Sequence, residues 1–271
     1  MRGFCGPLVK DILHGVADAV QRAVQGFRGD VGQVVGMGAD GTPTQRIDAV
    51  AEQAVFRFLE SKGLPHTVVS EEAGRVEKPG EWTLVLDPID GTHNAVRGLP
   101  AYSVSVAACP RAGAGGVERI SQATAGLVRD LVTGHTYYAE AGKGASLNGR
   151  PIRVKRPLDP KDTVFDVYLG KKAHADAGKV AGRARRVRSL GAASLDLCLV
   201  AKGATDLYYL HSTEVGHELR PMDVAAGTLI VREAGGGVVT LDGQPLDMPV
   251  DPKARSNLIA YGDERVLEML R

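Results

Sequence analysis

Two carboxylates close an apolar run at residues 82–92, Trp-Thr-Leu-Val-Leu-Asp87-Pro88-Ile89-Asp90-Gly91-Thr92. The run reads as a buried strand ending at Asp87, with Pro88 breaking the ladder and a Gly-Thr turn behind it. Two aspartates three residues apart at a strand exit can aim at one point, and the Ile89 carbonyl between them can join. An all-oxygen donor set suits Mg²⁺ or Mn²⁺ rather than zinc. The Gly91 and Thr92 amides just beyond could hold an anion such as phosphate. An aspartyl nucleophile of the DxDGT type would need an aspartate where Pro88 stands. Taken alone, Asp-Pro and Asp-Gly also make ordinary solvated turns.

Two further acidic elements raise the value of the first. A short apolar strand ending at Val69 runs into Ser70-Glu71-Glu72-Ala73-Gly74. Adjacent glutamates at a strand end are usually surface charge, but a neighbouring strand ending at Asp87 could bring both ends together. In Pro221-Met222-Asp223-Val224-Ala225-Ala226-Gly227, Asp223 stands where an N-cap belongs, before an Ala-rich helix. The small residues behind it allow close approach to a helix N-terminus, which favours anions.

These groups need elements to hold them. Helical spacing of apolar residues predicts helices over 8–24 and 44–59. The glycine-rich stretch 29–41 between them reads as a mobile loop. Strands are expected at 66–70, 82–86 and 102–107, and a hairpin at 122–139 turns at Thr133-Gly134. Residues 141–149 read as a further turn. Strand and helix then alternate to the C-terminus: strands near 163–167, 185–188, 206–210, 238 and 258, and helices over 173–182, 192–201 and 223–233. The texture changes around the prolines of 150–161. Two subdomains are therefore expected, an α+β unit over 1–150 and an α/β unit over 151–271.

Composition narrows the classes. Lys+Arg total 33 against 32 for Asp+Glu, and aromatic residues are 5%, so neither a nucleic-acid field nor a base-stacking platform is expected. Cys5, Cys109 and Cys198 are too widely spaced for a metal pair or a redox motif, and a reduced, cytoplasmic protein is expected. No apolar run has the length of a membrane span. His93, His135, His174, His211 and His217 form no pair at zinc-ligand spacing.

The three acidic segments, in this order, resemble the inositol monophosphatase superfamily of metal-dependent, lithium-sensitive phosphatases. Likeness extends to Gly38-Ala-Asp40-Gly-Thr42-Pro-Thr44 and to residues 142–149 and 188–198, so it covers essentially the whole chain. Residues 38–44 and 94–100 look most like the archaeal branch, which hydrolyses both inositol phosphates and fructose 1,6-bisphosphate.

The resemblance implies a layered α/β/α/β/α sandwich with the active site between the subdomains, and a homodimer. It implies two or three Mg²⁺ ions, replaceable by Mn²⁺, on Glu71, Asp87, Asp90, Asp223 and the Ile89 carbonyl, with Asp40 completing a third site. Asp48 and Thr92 would orient the attacking water, and Glu71 would share in catalysis. Asp90 and the Gly91 and Thr92 amides would face the phosphate, and Arg188 and Ala193 the rest of a small sugar or cyclitol phosphate. The alternatives are a phosphatase for another monoester, such as 3′-phosphoadenosine 5′-phosphate, or a regulatory binding protein that keeps the fold. Three departures from the family pattern stand out. Residues 29–45 contain no lysine, and Met222 replaces a usual tryptophan. The 210–221 segment is long, which leaves open whether Glu214 or His217 meets the substrate ring.

Overall fold

The computed structural model describes residues 7–270 apart from 40, 114–115 and 215–217. In chain order the elements are α1 (Pro7–Gly26), β1 (Val34–Met37), β2 (Pro43–Gln45), α2 (Arg46–Ser61), β3 (Thr67–Ser70), β4 (Gly74–Val76), β5 (Trp82–Asp90), α3 (Thr92–Arg97), β6 (Ser103–Pro110), β7 (Ala125–Asp130), β8 (Thr136–Glu140), β9 (Gly144–Leu147) and β10 (Arg150–Ile152). The second half contributes β11 (Val164–Val167), α4 (Ala175–Gly182), β12 (Arg186–Arg188), α5 (Ala193–Ala201), β13 (Leu207–Leu210), α6 (Pro221–Glu233), β14 (Gly237–Val239) and β15 (Leu258–Tyr261).

Two sheets carry the fold. Strands β10-β9-β8-β7-β6-β5-β3-β4 form an eight-stranded sheet, and β12-β11-β13-β15-β14 form a five-stranded one. Helices α1 and α2 cover the outer face of the first sheet, burying Ile12, Leu13, Val16, Ile47, Ala51 and Val55 against Leu84, Leu86 and Val106. Val16 follows Ile12 and Leu13 by four and three residues, and Ile47, Ala51 and Val55 are four apart, which puts each set on one stripe. Helices α5 and α6 fill the space between the sheets, and α4 closes the far side. The order is therefore α/β/α/β/α. The middle helices are apolar nearly all round because both of their faces are covered. At Gly227 an added Cβ would lie 2.6 Å from a Leu197 methyl, so glycine lets α5 and α6 lie this close.

Several expectations change. The 29–41 stretch is not simply a loop: Val34–Met37 pairs antiparallel with Pro43–Gln45, and its exposed face explains why it lacks a core strand's pattern. Strand β5 does not stop at Asp87. It runs through Pro88 to Asp90, with a register irregularity between the two aspartates that absorbs the missing proline N–H. Residues 141–149 include the strand β9 as well as turns. The boundary at 150 falls on β10, which still pairs with the first sheet; the chain crosses to the second sheet between Ile152 and Val164.

Candidate active site

Strands β3 and β5 run parallel, with Ser70 opposite Leu86, so the Glu71 turn and Asp87 leave the sheet side by side. Helix α6 brings Asp223 from the other side. The helix begins at Pro221, two residues earlier than expected, so Asp223 is not the N-cap. It is the third helical residue, and its carboxylate accepts the Arg220 backbone N–H at 2.8 Å. Proline at the first helical position requires no N–H there, which explains the earlier start. Carboxylate oxygens of Glu71, Asp87 and Asp223 lie within 4.8 Å of one another.

The adjacent glutamates have different jobs. Glu72 accepts a hydrogen bond from Thr44 Oγ1, and its carbonyl accepts the Ala39 amide at 3.0 Å, so it fastens the β1–β2 hairpin. Glu71 turns to the cluster, accepting from Thr42 Oγ1 at 3.3 Å and pairing with Arg220 Nη1 at 2.5 Å. Buried Glu52 on α2 accepts from Ser70 Oγ and from the Ala73 amide, pinning both ends of the turn that presents Glu71.

Asp90 lines the same cleft, but its carboxylate faces α5. It accepts the Ala193 amide at 3.2 Å, the Ser194 amide at 2.7 Å and Ser194 Oγ at 2.5 Å. Burial, with the Asp223 charge second, pushes Asp90 up to about 6 against those hydrogen bonds. Asp87 is also raised, first by burial and then by the charges of Glu71, Asp90 and Asp223. Thr92 Oγ1 donates to Asp48 Oδ1 at 2.9 Å and contacts the Ile89 carbonyl at 2.8 Å, while Asp48 Oδ2 accepts the Gln45 amide at 3.1 Å. Burial raises Asp48 to about 6. Gly91, with φ +87°, turns the chain from β5 into α3; a Cβ there would lie 2.9 Å from the Ala101 carbonyl.

These groups floor a cleft of about 420 Å³ that Glu71, Asp87, Ile89, Asp90, Gly91, Thr92, Ala193 and Asp223 all line. Asp48 and Thr92 line a smaller one of about 190 Å³ that Glu71 and His93 share. The structure thus gathers the expected residues from both halves, with two exceptions. Arg188 lies at the exposed edge strand β12, its guanidinium bonded to the Val187 carbonyl, and it does not line the cleft. Asp40 lies outside the described residues, as does His217. Sequence reading missed Arg220, the cation inside the cluster. Its place three residues before Asp223, at a helix start, was the available signal.

A family model for the inositol monophosphatase family matches residues 9–270. The chain belongs to the inositol monophosphatase family. A fructose-1,6-bisphosphatase/inositol-1-monophosphatase from Methanothermobacter thermautotrophicus is 36% identical over 96% of each chain. A bifunctional NADP phosphatase/NAD kinase from Methanococcus maripaludis is 34% identical over 93% of this chain and 47% of its own length. A crystal structure of an inositol monophosphatase–fructose 1,6-bisphosphatase is 29% identical and covers 97% of this chain and 98% of its own, with a TM-score of 0.83. The chain is accordingly a phosphatase of a metal-dependent family, and its acidic cluster fits a metal. Asp223 Oδ1 is buried with no hydrogen-bond partner, and three converging carboxylates leave oxygen donors only. Among the described residues no helix is long and apolar enough to cross a membrane.

Proposed function

We propose that this family member hydrolyses fructose 1,6-bisphosphate and inositol 1-phosphate, releasing phosphate by attack of water. The observation that supports this most is the convergence of Glu71, Asp87 and Asp223 on the floor of the large cleft, beside Asp90 and the Gly91 turn. In this reading Glu71, Asp87, Asp90, Asp223 and the Ile89 carbonyl hold two Mg²⁺ ions, and Asp40 contributes to a third. When bound, Mg²⁺ makes hydroxide accessible near neutral pH and neutralises the leaving alkoxide.

The residues of the chain divide the remaining work. Asp48, held by Gln45 and Thr92, is placed to take the proton of the attacking water, and Thr92 fixes that water's direction. The Gly91 and Thr92 amides hold the phosphate oxygens. Ser194 and Ala193 hold Asp90, so Ala193 orients a site carboxylate in addition to forming the cleft wall. Arg220 is the one lysine or arginine among the described residues lining the cleft; in this reading its pairing with Glu71 and Asp223 passes to metal ions, and its guanidinium turns to a second phosphate. Arg188 is outside that lining and serves at most the far end of the longer substrate. The first-half unit supplies most of the ionic floor, and the second supplies Asp223 and the wall. Two such chains pair as a cytoplasmic homodimer.

A second reading, hydrolysis of a nucleotide 2′- or 3′-phosphate, is favoured by one observation: the partly buried Tyr168 lines the cleft and offers a ring to a base. Phosphate release with Mg²⁺ from fructose 1,6-bisphosphate, inositol 1-phosphate, NADP and 3′-phosphoadenosine 5′-phosphate separates the readings. Turnover of the first two is expected. Release from the nucleotides alone would overturn the sugar assignment.

A further inference from the structure

A second cluster with ligating atoms lies on the far face of the five-stranded sheet. Ala173 and Ser212 form an isolated antiparallel bridge, and the His174 amide donates to the His211 carbonyl at 2.8 Å. The two imidazoles are therefore a cross-strand pair, with ring centroids 4.0 Å apart and planes 16° from parallel. Asp176, two residues on in α4, adds a carboxylate. Ligating atoms of His174, Asp176 and His211 all lie within 4.8 Å of one another. None of the three lines the large cleft. Tyr208 and Leu210 of β13 do, and the alternation of the strand sends Tyr209 and His211 to the opposite side.

We propose that His174, Asp176 and His211 form a second metal site, separate from the carboxylate centre, for a divalent cation of the imidazole-preferring class such as Ni²⁺, Zn²⁺ or Cu²⁺. Two neutral imidazoles and one carboxylate are the donors that class takes, whereas Mg²⁺ asks for oxygens and keeps its waters. Two outer contacts expected of such a site are present, while His174 Nδ1 accepts the Asp176 amide at 3.2 Å and caps α4, a bond the ion would replace. Tyr209 Oη lies 3.2 Å from His211 Nδ1, leaving Nε2 for the ion. Lys179 Nζ holds Asp176 Oδ1 at 2.8 Å, and Oδ2 is the oxygen turned to His174, 3.1 Å from Nδ1. A metal bond lies in the plane of an imidazole, so the nearly parallel rings turn out of their stack to point at one ion, a turn the broad ring torsion allows. All three side chains are half-buried and an adjoining cavity of about 260 Å³ gives access.

An ion here ties the start of α4 to the segment that leaves β13. The test is Ni²⁺ titration of the full chain by calorimetry with Mg²⁺ saturating, beside Cu²⁺ binding followed by electron paramagnetic resonance. One Ni²⁺ equivalent, a Cu²⁺ spectrum split by imidazole nitrogens and a Ni²⁺-dependent rise in Tm are expected. His174→Asn and His211→Gln, chosen to keep volume, should each weaken Ni²⁺ by about tenfold or more. Asp87→Asn should leave it unchanged. Ni²⁺ binding unaltered in both histidine variants, or lost in Asp87→Asn, would overturn the proposal. Circular dichroism of each variant shows whether a lost signal reflects lost folding; if it does, the imidazole splitting in the wild-type Cu²⁺ spectrum decides, and its absence overturns the site.

Discussion

Arg220 stands where a cation is most needed. Its Nη1 lies 2.5 Å from Glu71 Oε1 and its Nε 3.3 Å from Asp223 Oδ2, and the arginine and Glu71 side chains keep only 19% and 17% exposure. Replacing it by glutamine removes the charge and keeps the backbone amide that bonds Asp223. Breaking a fully buried pair costs about 3–5 kcal/mol, and the remaining exposure here brings that to about 2 kcal/mol. At about 2–4 °C per kcal/mol for a chain of this size, Arg220→Gln should lower the Tm of the metal-free protein by about 4–8 °C. With Mg²⁺ bound the carboxylates have another cation, so the loss should be about half as large. A difference of about 1 kcal/mol appears by linkage as about fivefold tighter Mg²⁺ binding. Thermal melts with chelator and with saturating Mg²⁺, beside a calorimetric Mg²⁺ titration, measure both. Equal losses in the two forms with unchanged Mg²⁺ affinity would refute the idea that arginine and metal compete for one cluster.

Asp48 has its carboxyl raised to about 6, mainly by burial, so it accepts a proton only above that pH. With Mg²⁺ bound beside it the cation lowers that value, so activity should rise with pH along an acid limb at or below about pH 6. Asp48→Asn should remove that limb and lower kcat by about 10²–10⁴. The sign for stability is opposite: a carboxyl raised from 3.8 to about 6 holds its proton better when folded, so its contribution falls as pH rises between those values and stays lost above them. Asp166 and Asp196 are buried and both raised by burial, with the Asp166 charge second at Asp196. Asp196→Asn removes an ionisation that costs stability, so it should raise Tm more at pH 8 than at pH 5; a larger gain at pH 5 would contradict the assignment. Asp87→Asn should abolish phosphate release while leaving the metal-free protein folded, because it relieves repulsion. Asp90→Asn should also cost about 1–3 kcal/mol of stability, read by denaturant melts, because Asp90 holds two α5 amides. Arg188→Ala should leave inositol 1-phosphate hydrolysis unchanged; any loss should be confined to KM for the bisphosphate.

What was legible in the chain was local. The stripe of Ile12, Leu13, Val16 and Val20 fixes α1, and the acidic segments at 71, 87–90 and 223 were visible because each carries its own pattern. Pro88 misled because a proline usually ends a ladder; here a register irregularity absorbs it and the strand continues to Asp90. Asp223 misled by one position class, since its carboxylate does accept an N-terminal amide, but from the third helical residue. The partners that sequence could not show are those that meet only after folding. Glu52 fastens the Glu71 turn across 18 and 21 residues, through Ser70 and Ala73. Ser194 reaches Asp90 across 104. His174 and His211 stack across a bridge no spacing rule describes. Each of these is a buried or half-buried polar group whose cost is met by a distant one. A metal cluster of like charges cannot be held by local preference at all. It is held because two sheets and the helices between them bring carboxylates from three separate elements to one point, with Arg220 balancing part of their charge.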